Sequence, residues 1–256
     1  MSDRMAEVRP SFTTEFGGTF VLIETGIFSM GSESRESSPN EGPTRQVEIA
    51  QPFFISVRPL TQAEWVMVMG NNPSKFSEGI EAGLSPVESI SWFDAMSFVE
   101  QLNQRFTSDY LGLSGRFRLP SESEWECAAR AGSTTQWSFV GADRELTQFA
   151  WHAGNSGART KMVGQKDPND WGLYDVHGLV SEWCLDQWHP NYRGAPSNHS
   201  PWVDDGIDDL RVHRGGCWFH ESYSCRSSSR GKARASHTSD GIGLRLVWEP
   251  LGESNG

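Results

Sequence analysis

The chain has 256 residues and a formal charge of −11, since 22 Lys and Arg face 33 Asp and Glu. This acidic balance argues against a general binder of nucleic acid or of anionic membranes, because phosphate groups would be repelled. A hydrophobic content of 36% allows a real core, and no stretch approaches the roughly 20 apolar residues that span a bilayer, so we expect a folded protein with no membrane segment.

The ends of the chain and its cysteines predict a cellular location. Residues 1–18 contain no apolar core, so no signal peptide is predicted. Four cysteines are too few and too irregularly spaced for a disulfide framework. We therefore expect a cytoplasmic protein with reduced thiols, whose oligomeric state the sequence leaves unknown.

Hydrophobic patterning divides the chain into one domain and two tails. Residues 1–16 are polar and predict a flexible N-terminal tail, residues 17–250 a single domain, and residues 251–256 a C-terminal tail. No internal repeat and no linker divides the domain. The 26 Gly and 11 Trp indicate a loop-rich structure fastened by large aromatic side chains, because Gly supplies tight turns and Trp supplies rigid contact area.

Strands are predicted first, at residues 19–23, 26–31 and roughly 46–57. Three helices follow from their capping residues: Thr61 begins one that ends at Gly70, Ser91 begins one that continues to about Arg105, and Ser121 begins one that ends at Gly132. No helix is predicted after Gly132, and residues 241–248 predict a closing strand. This order is typical of an α+β domain with helices early and irregular β-structure late.

Several phrases occur in a fixed order along the chain. They include Phe28-Ser-Met-Gly31, Pro59-Leu-Thr-Gln-Ala-Glu-Trp65, Arg118-Leu-Pro-Ser-Glu-Ser-Glu-Trp-Glu126, Gly172-Leu-Tyr-Asp175, Arg214-Gly-Gly216 and Gly243-Leu-Arg245. Together they resemble the formylglycine-generating enzyme family, also called the sulfatase-modifying factor domain, over about residues 17–249. The resemblance implies a C-type-lectin-like fold of the formylglycine-generating subtype, with little regular secondary structure, few helices and twisted antiparallel strands.

The resemblance implies more than one activity. True members of the family oxidise a cysteine of a client sulfatase with O2, using Cu(I) held by two Cys thiolates. Relatives bind ligands without chemistry, among them variable proteins diversified by retroelements. Because the fold is shared, the residues of the site must decide the activity.

The segment after Arg214-Gly-Gly216 carries the candidate catalytic residues. In the oxidases this run holds two Cys separated by four residues; here Cys225 matches the second, His220 stands at the first, and Cys217 stands where the oxidases carry a Ser. The resemblance implies Cu(I) on Cys225 and His220, with Cys225 exchanging with a substrate thiol and Cys217 lining an oxygen pocket. Two alternatives stay open: Cys225 is a nucleophile with His220 as base, or these cysteines simply fill the core.

A second candidate site lies at Asp175, Gly178, Val180 and Glu182. The matching positions of the family bind Ca2+ through side-chain oxygens and main-chain carbonyls, which are the ligands that Ca2+ prefers. Asp175 and Glu182 retain the side-chain oxygens. The alternative is that Asp175 caps a turn and Glu182 forms a salt bridge.

For the remaining cysteines and acidic residues we expect ordinary structural roles. Cys127 and Cys184 are expected to pack in the core, and the acidic residues at 204–209 read as a solvated loop. Residues 219–241 are rich in Ser, Arg, His and Tyr, and in the retroelement-diversified relatives this region binds ligand. Two functions are therefore predicted: a copper- and thiol-dependent oxidase acting on a peptide cysteine, or a catalytically inactive module that binds a peptide, protein or sugar.

Overall fold

The computed structural model describes residues 9–251. Residues 1–8 of the predicted N-terminal tail, and residues 252–256 of the predicted C-terminal tail, lie outside the described residues. The predicted boundary at residue 16 is too late, because Ser11–Thr13 forms strand β1. Phe12 stacks on Tyr110 with ring centroids 4.4 Å apart, and Phe16 is buried, so this segment belongs to the domain.

The described residues form an α+β domain, as predicted. After β1 the strands are β2 (Thr19–Ile23), β3 (Gly26–Met30), β4 (Arg45–Ile49), β5 (Phe53–Ser56), β6 (Asp109–Tyr110), β7 (Leu113–Arg118), β8 (Ser181–Trp188), β9 (Ile207–Arg214), β10 (Arg230–Arg234), β11 (Ile242–Gly243) and β12 (Val247–Pro250). The helices are α1 (Gln62–Met69), α2 (Trp92–Arg105), α3 (Glu122–Arg130) and α4 (Leu146–Phe149). None of the helices between residues 9 and 251 is long and apolar enough to cross a membrane.

The capping residues begin the three predicted helices. In α1 the Thr61 hydroxyl accepts from the Glu64 main-chain N–H at 3.3 Å, and the Glu64 carboxylate accepts from the Thr61 N–H at 2.7 Å. Ser91 and Ser121 cap α2 and α3 in the same way. These reciprocal bonds satisfy main-chain N–H groups that have no partner within the helix. The single turn of α4 was not predicted, because four residues are too few to show a helical period.

The strands form three sheets. Their orders are β1-β2-β5-β12-β7-β6, then β10-β9-β8-β11, and finally the two-stranded ribbon β3-β4. All pairs are antiparallel except β11 with β8. The last strand of the chain, β12, therefore lies in the middle of the largest sheet, between β5 and β7.

Two predicted strands are each divided in the structure. The run 46–57 forms β4 and β5, because Pro52 lies between them and has no N–H for a ladder. The run 241–248 forms β11 and β12, which belong to different sheets. Between them the Arg245 guanidinium turns into the core and pairs with Glu182.

The core is built on large aromatic side chains. Trp125, Trp183 and Trp248 are almost fully buried, and each indole N–H has an acceptor. They donate to the Glu182 carboxylate at 2.6 Å, to the Ile90 carbonyl at 3.1 Å and to the Ser108 carbonyl at 2.9 Å, respectively. A buried indole is best tolerated when its polar atom is paired, as in these three side chains. The buried indole N–H groups of Trp65 and Trp137 have no hydrogen-bond partner among the described residues.

Buried ion pairs fasten the segment that follows β9. Arg226 forms two hydrogen bonds of 2.7 Å with Glu41, and Arg230 pairs with Glu122. Arg214, at the end of β9, pairs with Glu126 of α3. Because both partners in each pair are buried, these charge-assisted contacts fix the position of the candidate site.

Candidate functional site

Two glycines place the candidate catalytic residues. Gly215 and Gly216 follow β9 with φ of +101° and +72°, values that residues with a side chain rarely adopt. A Cβ atom at position 216 would lie 2.8 Å from the Cys225 Sγ atom. The chain therefore turns tightly enough to bring Cys217 and Cys225 into one loop.

Cys225 is enclosed by protein. Its side chain has no exposed surface and packs with Trp137, Leu146 and Ala150. The thiol donates a weak hydrogen bond to the Glu221 carbonyl, with a distance of 3.8 Å between sulfur and oxygen. Burial, together with Cys217 nearby, raises the pKa of the Cys225 thiol far above its usual range, so the thiol is protonated at neutral pH.

Cys217 and His220 precede Cys225 in the same segment. Cys217 is buried, and burial raises its pKa to about 12. The main-chain N–H of His220 donates to the Cys217 carbonyl at 3.0 Å. Burial lowers the pKa of the His220 imidazole. Among residues 9–251, no hydrogen-bond partner meets the buried Nδ1 atom of His220. The loop thus gathers two neutral thiols and one neutral imidazole.

The donor types of this loop fit Cu(I). Thiolate and imidazole are ligands for that ion, and the unpartnered Nδ1 atom of His220 is available to it. Cys225 and Cys217 would each have to release a proton on binding. Within residues 9–251, no group of three or more His, Cys, Asp or Glu side chains is arranged to hold a metal ion.

A cavity opens beside His220. It has a volume of about 320 Å³, and its lining includes Gly216, Ser224, Ser181 and His213. Sequence reasoning missed Ser181, in β8, because no local pattern joins it to a loop that begins more than 30 residues later. It also missed His213, in β9, which lies four residues before Cys217 without a motif that marks it.

Two exposed aromatic side chains flank this part of the chain. Phe219 and Tyr223 have relative exposures of 43% and 62%. Aromatic side chains on a well-anchored loop are typical of binding surfaces, because they give large contact area with little loss of conformational entropy. We call Phe219, His220 and Tyr223, with the cavity, the loop surface.

The predicted calcium residues are divided between two environments. Asp175 is buried with φ of +59°, and its Oδ2 atom accepts from the Gly164 N–H at 2.7 Å. Its Oδ1 atom has no hydrogen-bond donor among the described residues. Burial raises the pKa of Asp175 to about 6. An unpartnered buried carboxylate oxygen fits a bound cation or a proton.

The Glu182 carboxylate already accepts hydrogen bonds from other side chains. Its two oxygens each accept from Arg245 at 2.9 Å, and the Trp125 indole donates to one of them. A Ca2+ ion would have to share this carboxylate, so Glu182 does not fit as a free ligand. Val180 is buried, and a Cβ atom on Gly178 would lie 2.3 Å from the Trp151 carbonyl oxygen. Calcium binding at these four positions stays a prediction.

The other candidates have the roles expected of them. Cys127 and Cys184 are buried in the core. Asp204 and Asp205 lie in a turn, and Asp208 and Asp209 begin β9; all four are exposed. The acidic run is therefore solvated, although half of it is strand rather than loop.

The fold and site together define a C-type-lectin-like domain of the formylglycine-generating type. The chain belongs to the sulfatase-modifying factor enzyme 1-like domain family, whose model matches residues 6–250. It is 30% identical to the chaperone protein LppX of Paenibacillus barcinonensis, over 93% of this chain and 91% of that protein. It is 27% identical to the formylglycine-generating enzyme of Thermomonospora curvata, over 93% and 95% of the two chains.

Solved structures agree with this assignment. PvdO from Pseudomonas aeruginosa superposes with a TM-score of 0.83 at 28% identity, covering 95% of this chain and 99% of that chain. Treponema denticola variable protein 1 superposes with a TM-score of 0.82 at 27% identity, covering 95% and 100%. The family thus includes a protein named as a formylglycine-generating enzyme and one named as a chaperone, and the predicted fold is confirmed.

Proposed function

We propose that this chain is a protein-binding member of its family, which holds a peptide or protein at the loop surface without oxidising it. The observation that carries the proposal is the state of Cys225. Its thiol is fully buried, protonated and packed against apolar side chains, and His220 replaces the other cysteine of the oxidases. A thiol that exchanges with a substrate needs both access and thiolate character.

The surroundings of the loop support binding. Phe219 and Tyr223 are exposed beside a cavity, while Arg226 anchors the loop from below through its pair with Glu41. Rigid loops with exposed aromatic side chains lose little entropy when they bind. The near full-length similarity to a protein named as a chaperone favours a polypeptide as the ligand.

The proposal is tested by asking whether the loop surface suppresses aggregation of an unfolded protein. Reduced lysozyme serves as the client, and light scattering reports its aggregation. We expect Phe219→Ser and Tyr223→Ser to weaken suppression several-fold. Phe93→Ser removes another exposed aromatic side chain, on α2, and should leave suppression unchanged. Site variants that act like the wild type, or a wild type with no suppression, would contradict the proposal.

A copper- and thiol-dependent oxidase acting on a peptide cysteine is the second candidate. It is favoured by the unpartnered Nδ1 atom of His220 in the loop that carries both thiols. Cys225 and His220 would hold Cu(I), with Cys217 beside them. When bound, the metal would supply reactivity toward O2, and the protein would position a client thiol and exclude water.

Anaerobic titration of Cu(I) against a chromophoric chelator separates the two candidates. An oxidase requires tight one-to-one binding that is lost in Cys225→Ser, followed by O2 consumption with a cysteine peptide. The binding module predicts equal, weak competition by both proteins. Cys127→Ser is the matched control, because that buried thiol lies in α3, outside the loop.

A further inference from the structure

One edge of the β3-β4 ribbon is open. On the far side of β4, the Glu48 N–H donates to the Ser197 carbonyl at 3.0 Å, so the Glu48 main chain points away from β3. Ile27 lies opposite Glu48 in the register. Opposite residues of an antiparallel pair either bond each other or both point outward, in alternation. The main-chain groups of Ile27 and, two residues on, Ser29 therefore point away from β4.

These outward groups are unpaired. Within residues 9–251, the main-chain N–H and C=O of Ile27 and Ser29 make no hydrogen bond. The Ile27 side chain is 71% exposed, and a Cβ atom added to Gly26 would meet nothing within 4 Å. The edge closes only at Gly31, which donates to Glu126 at 2.8 Å and accepts from Arg130 at 3.0 Å.

A cavity runs along this strand. It has a volume of about 570 Å³ and is lined by β3 and, among others, by Ile49, Cys127 and Trp171. This volume is within the range of binding sites, and the lining combines these apolar side chains with polar ones such as Thr44 and Gln46. An open strand edge beside a partly apolar cavity can bind an extended peptide: the edge supplies main-chain hydrogen bonds and the cavity accepts a side chain.

Exposed carboxylates lie at the two ends of β3. Glu24 precedes the strand with its side chain 69% exposed, and Glu33 follows it and is also exposed. The Arg130 guanidinium beside the cavity is occupied by Glu126 and by the Gly31 carbonyl. Arg9 lies over the Trp171 ring, 3.6 Å from Glu24, and offsets part of this charge. Arg35 is exposed two residues after Glu33, and Arg45 contacts Met30 at the end of the strand. The chain as a whole carries −11.

We propose that the β3 edge binds an extended segment of a partner protein in which alternating apolar residues are flanked by Lys or Arg. Its main chain pairs with Ile27 and Ser29, one apolar side chain enters the cavity, and its basic flanks lie near Glu24 and Glu33. This surface is separate from the loop surface, so it stands whether or not the loop binds a client.

Hydrogen exchange on the full-length chain tests the proposal directly. The probe is a fluorescein-labelled peptide of sequence Lys-Val-Thr-Val-Thr-Lys, and the control probe carries Glu at both ends. We expect the Ile27 and Ser29 amides to exchange quickly in the free protein and at least tenfold more slowly with the basic peptide. The acidic peptide should protect neither amide, and added salt should weaken binding of the basic one.

Two substitutions at one position separate the main chain from the side chain. Ser29→Pro removes the outward N–H, and proline is tolerated at an edge position whose N–H faces outward. Ser29→Ala keeps that N–H. We expect Ser29→Pro to weaken peptide binding about tenfold, because it removes at least one hydrogen bond and its ring blocks the peptide. Ser29→Ala should leave binding unchanged. Thermal unfolding of both variants checks the fold.

Four results would overturn the proposal. Absence of peptide binding is the first, and binding that protects residues 219–241 but not Ile27 and Ser29 is the second. Equal binding of the acidic and basic peptides is the third. The fourth is slow exchange of both amides in the free protein, which would mean that a second copy or the chain itself covers the edge; sedimentation at several concentrations would then identify a dimer.

Discussion

Replacing Asp175 with Asn should stabilise the protein at neutral and alkaline pH when calcium is removed. The buried Asp175 carboxylate has one oxygen bonded to the Gly164 N–H and one without a donor among the described residues. Asn keeps the acceptor and places an uncharged amide at the other position. The substitution therefore removes a buried charge without removing the observed hydrogen bond.

The magnitude follows from the pKa of Asp175. Burial raises it from 3.8 to about 6, a shift of about 2 units that corresponds to about 3 kcal/mol. Because the folded state has the higher pKa, it holds the proton more tightly than the unfolded state. The penalty is absent below about pH 4, grows as the pH rises toward 6, and is constant above it.

Urea unfolding at pH 4, 6 and 8, in EGTA and in millimolar Ca2+, measures this effect. In EGTA at pH 8, Asp175→Asn should gain up to about 3 kcal/mol over the wild type, with almost no gain at pH 4. The exposed Asp170→Asn serves as the matched control and should show no such gain. A gain that is equal at all three pH values, or a loss at pH 8, would refute the reasoning. If Asp175 binds calcium, Ca2+ should stabilise the wild type by about 2.7 kcal/mol at one hundred times its Kd and leave Asp175→Asn unchanged.

Three further changes test the anchoring of the site. Gly216→Ala should destabilise the protein by about 2–4 kcal/mol, because φ of +72° is strained for Ala and the new Cβ atom would lie 2.8 Å from the Cys225 sulfur. Urea unfolding measures this loss, and an unchanged midpoint would show that the turn can relax. Arg226→Met should cost about 3–5 kcal/mol by leaving Glu41 buried without its partner, whereas Arg144→Met, which removes an exposed pair, should have no measurable effect. Cys225→Ser should lower the free energy of unfolding by about 1–3 kcal/mol, because a hydroxyl replaces a thiol among apolar side chains. A thermal melt that matches the wild type would argue against a packed, apolar position for Cys225.

Local chemistry made the helices predictable. Thr61, Ser91 and Ser121 each stand three residues before a carboxylate that completes a capping box, so the signal lies within four positions. The end of α3 was misplaced by one position for a related reason. The left-handed turn begins at Ala131, with φ of +49°, and not at Gly132. Ala adopts this conformation less readily than Gly, so the sequence pointed to Gly132 as the end of the helix.

Contacts between distant positions were not predictable. The Arg226–Glu41 pair joins residues 185 positions apart, and the Arg245–Glu182 pair joins residues 63 apart. No periodicity within a segment reports such pairing. The same limit explains why the predicted run 241–248 was taken as one strand, since only the tertiary structure shows that Arg245 turns inward between β11 and β12.

The candidate site was predictable only where it is continuous in the chain. Cys217, His220 and Cys225 lie within nine positions of one another, and the structure places them in one loop. Their burial, which decides what the thiols can do, depends on Trp137 and Leu146 from another segment. The open edge of β3 could not be predicted from the sequence, because it depends on which strands pair in the folded structure.

The central position of β12 has a consequence for synthesis of the protein. Val247 pairs with Ile55 on one side and with Arg118 on the other, so β5 and β7 are joined only through the last strand. At about 5–20 residues per second, a ribosome reaches Val247 many seconds after Ile55 has left it. During that interval the nascent chain carries two unfilled strand edges, which are sites for aggregation. A chain terminated before Val247 would keep that gap permanently, and we expect the cell to degrade it rather than accumulate it.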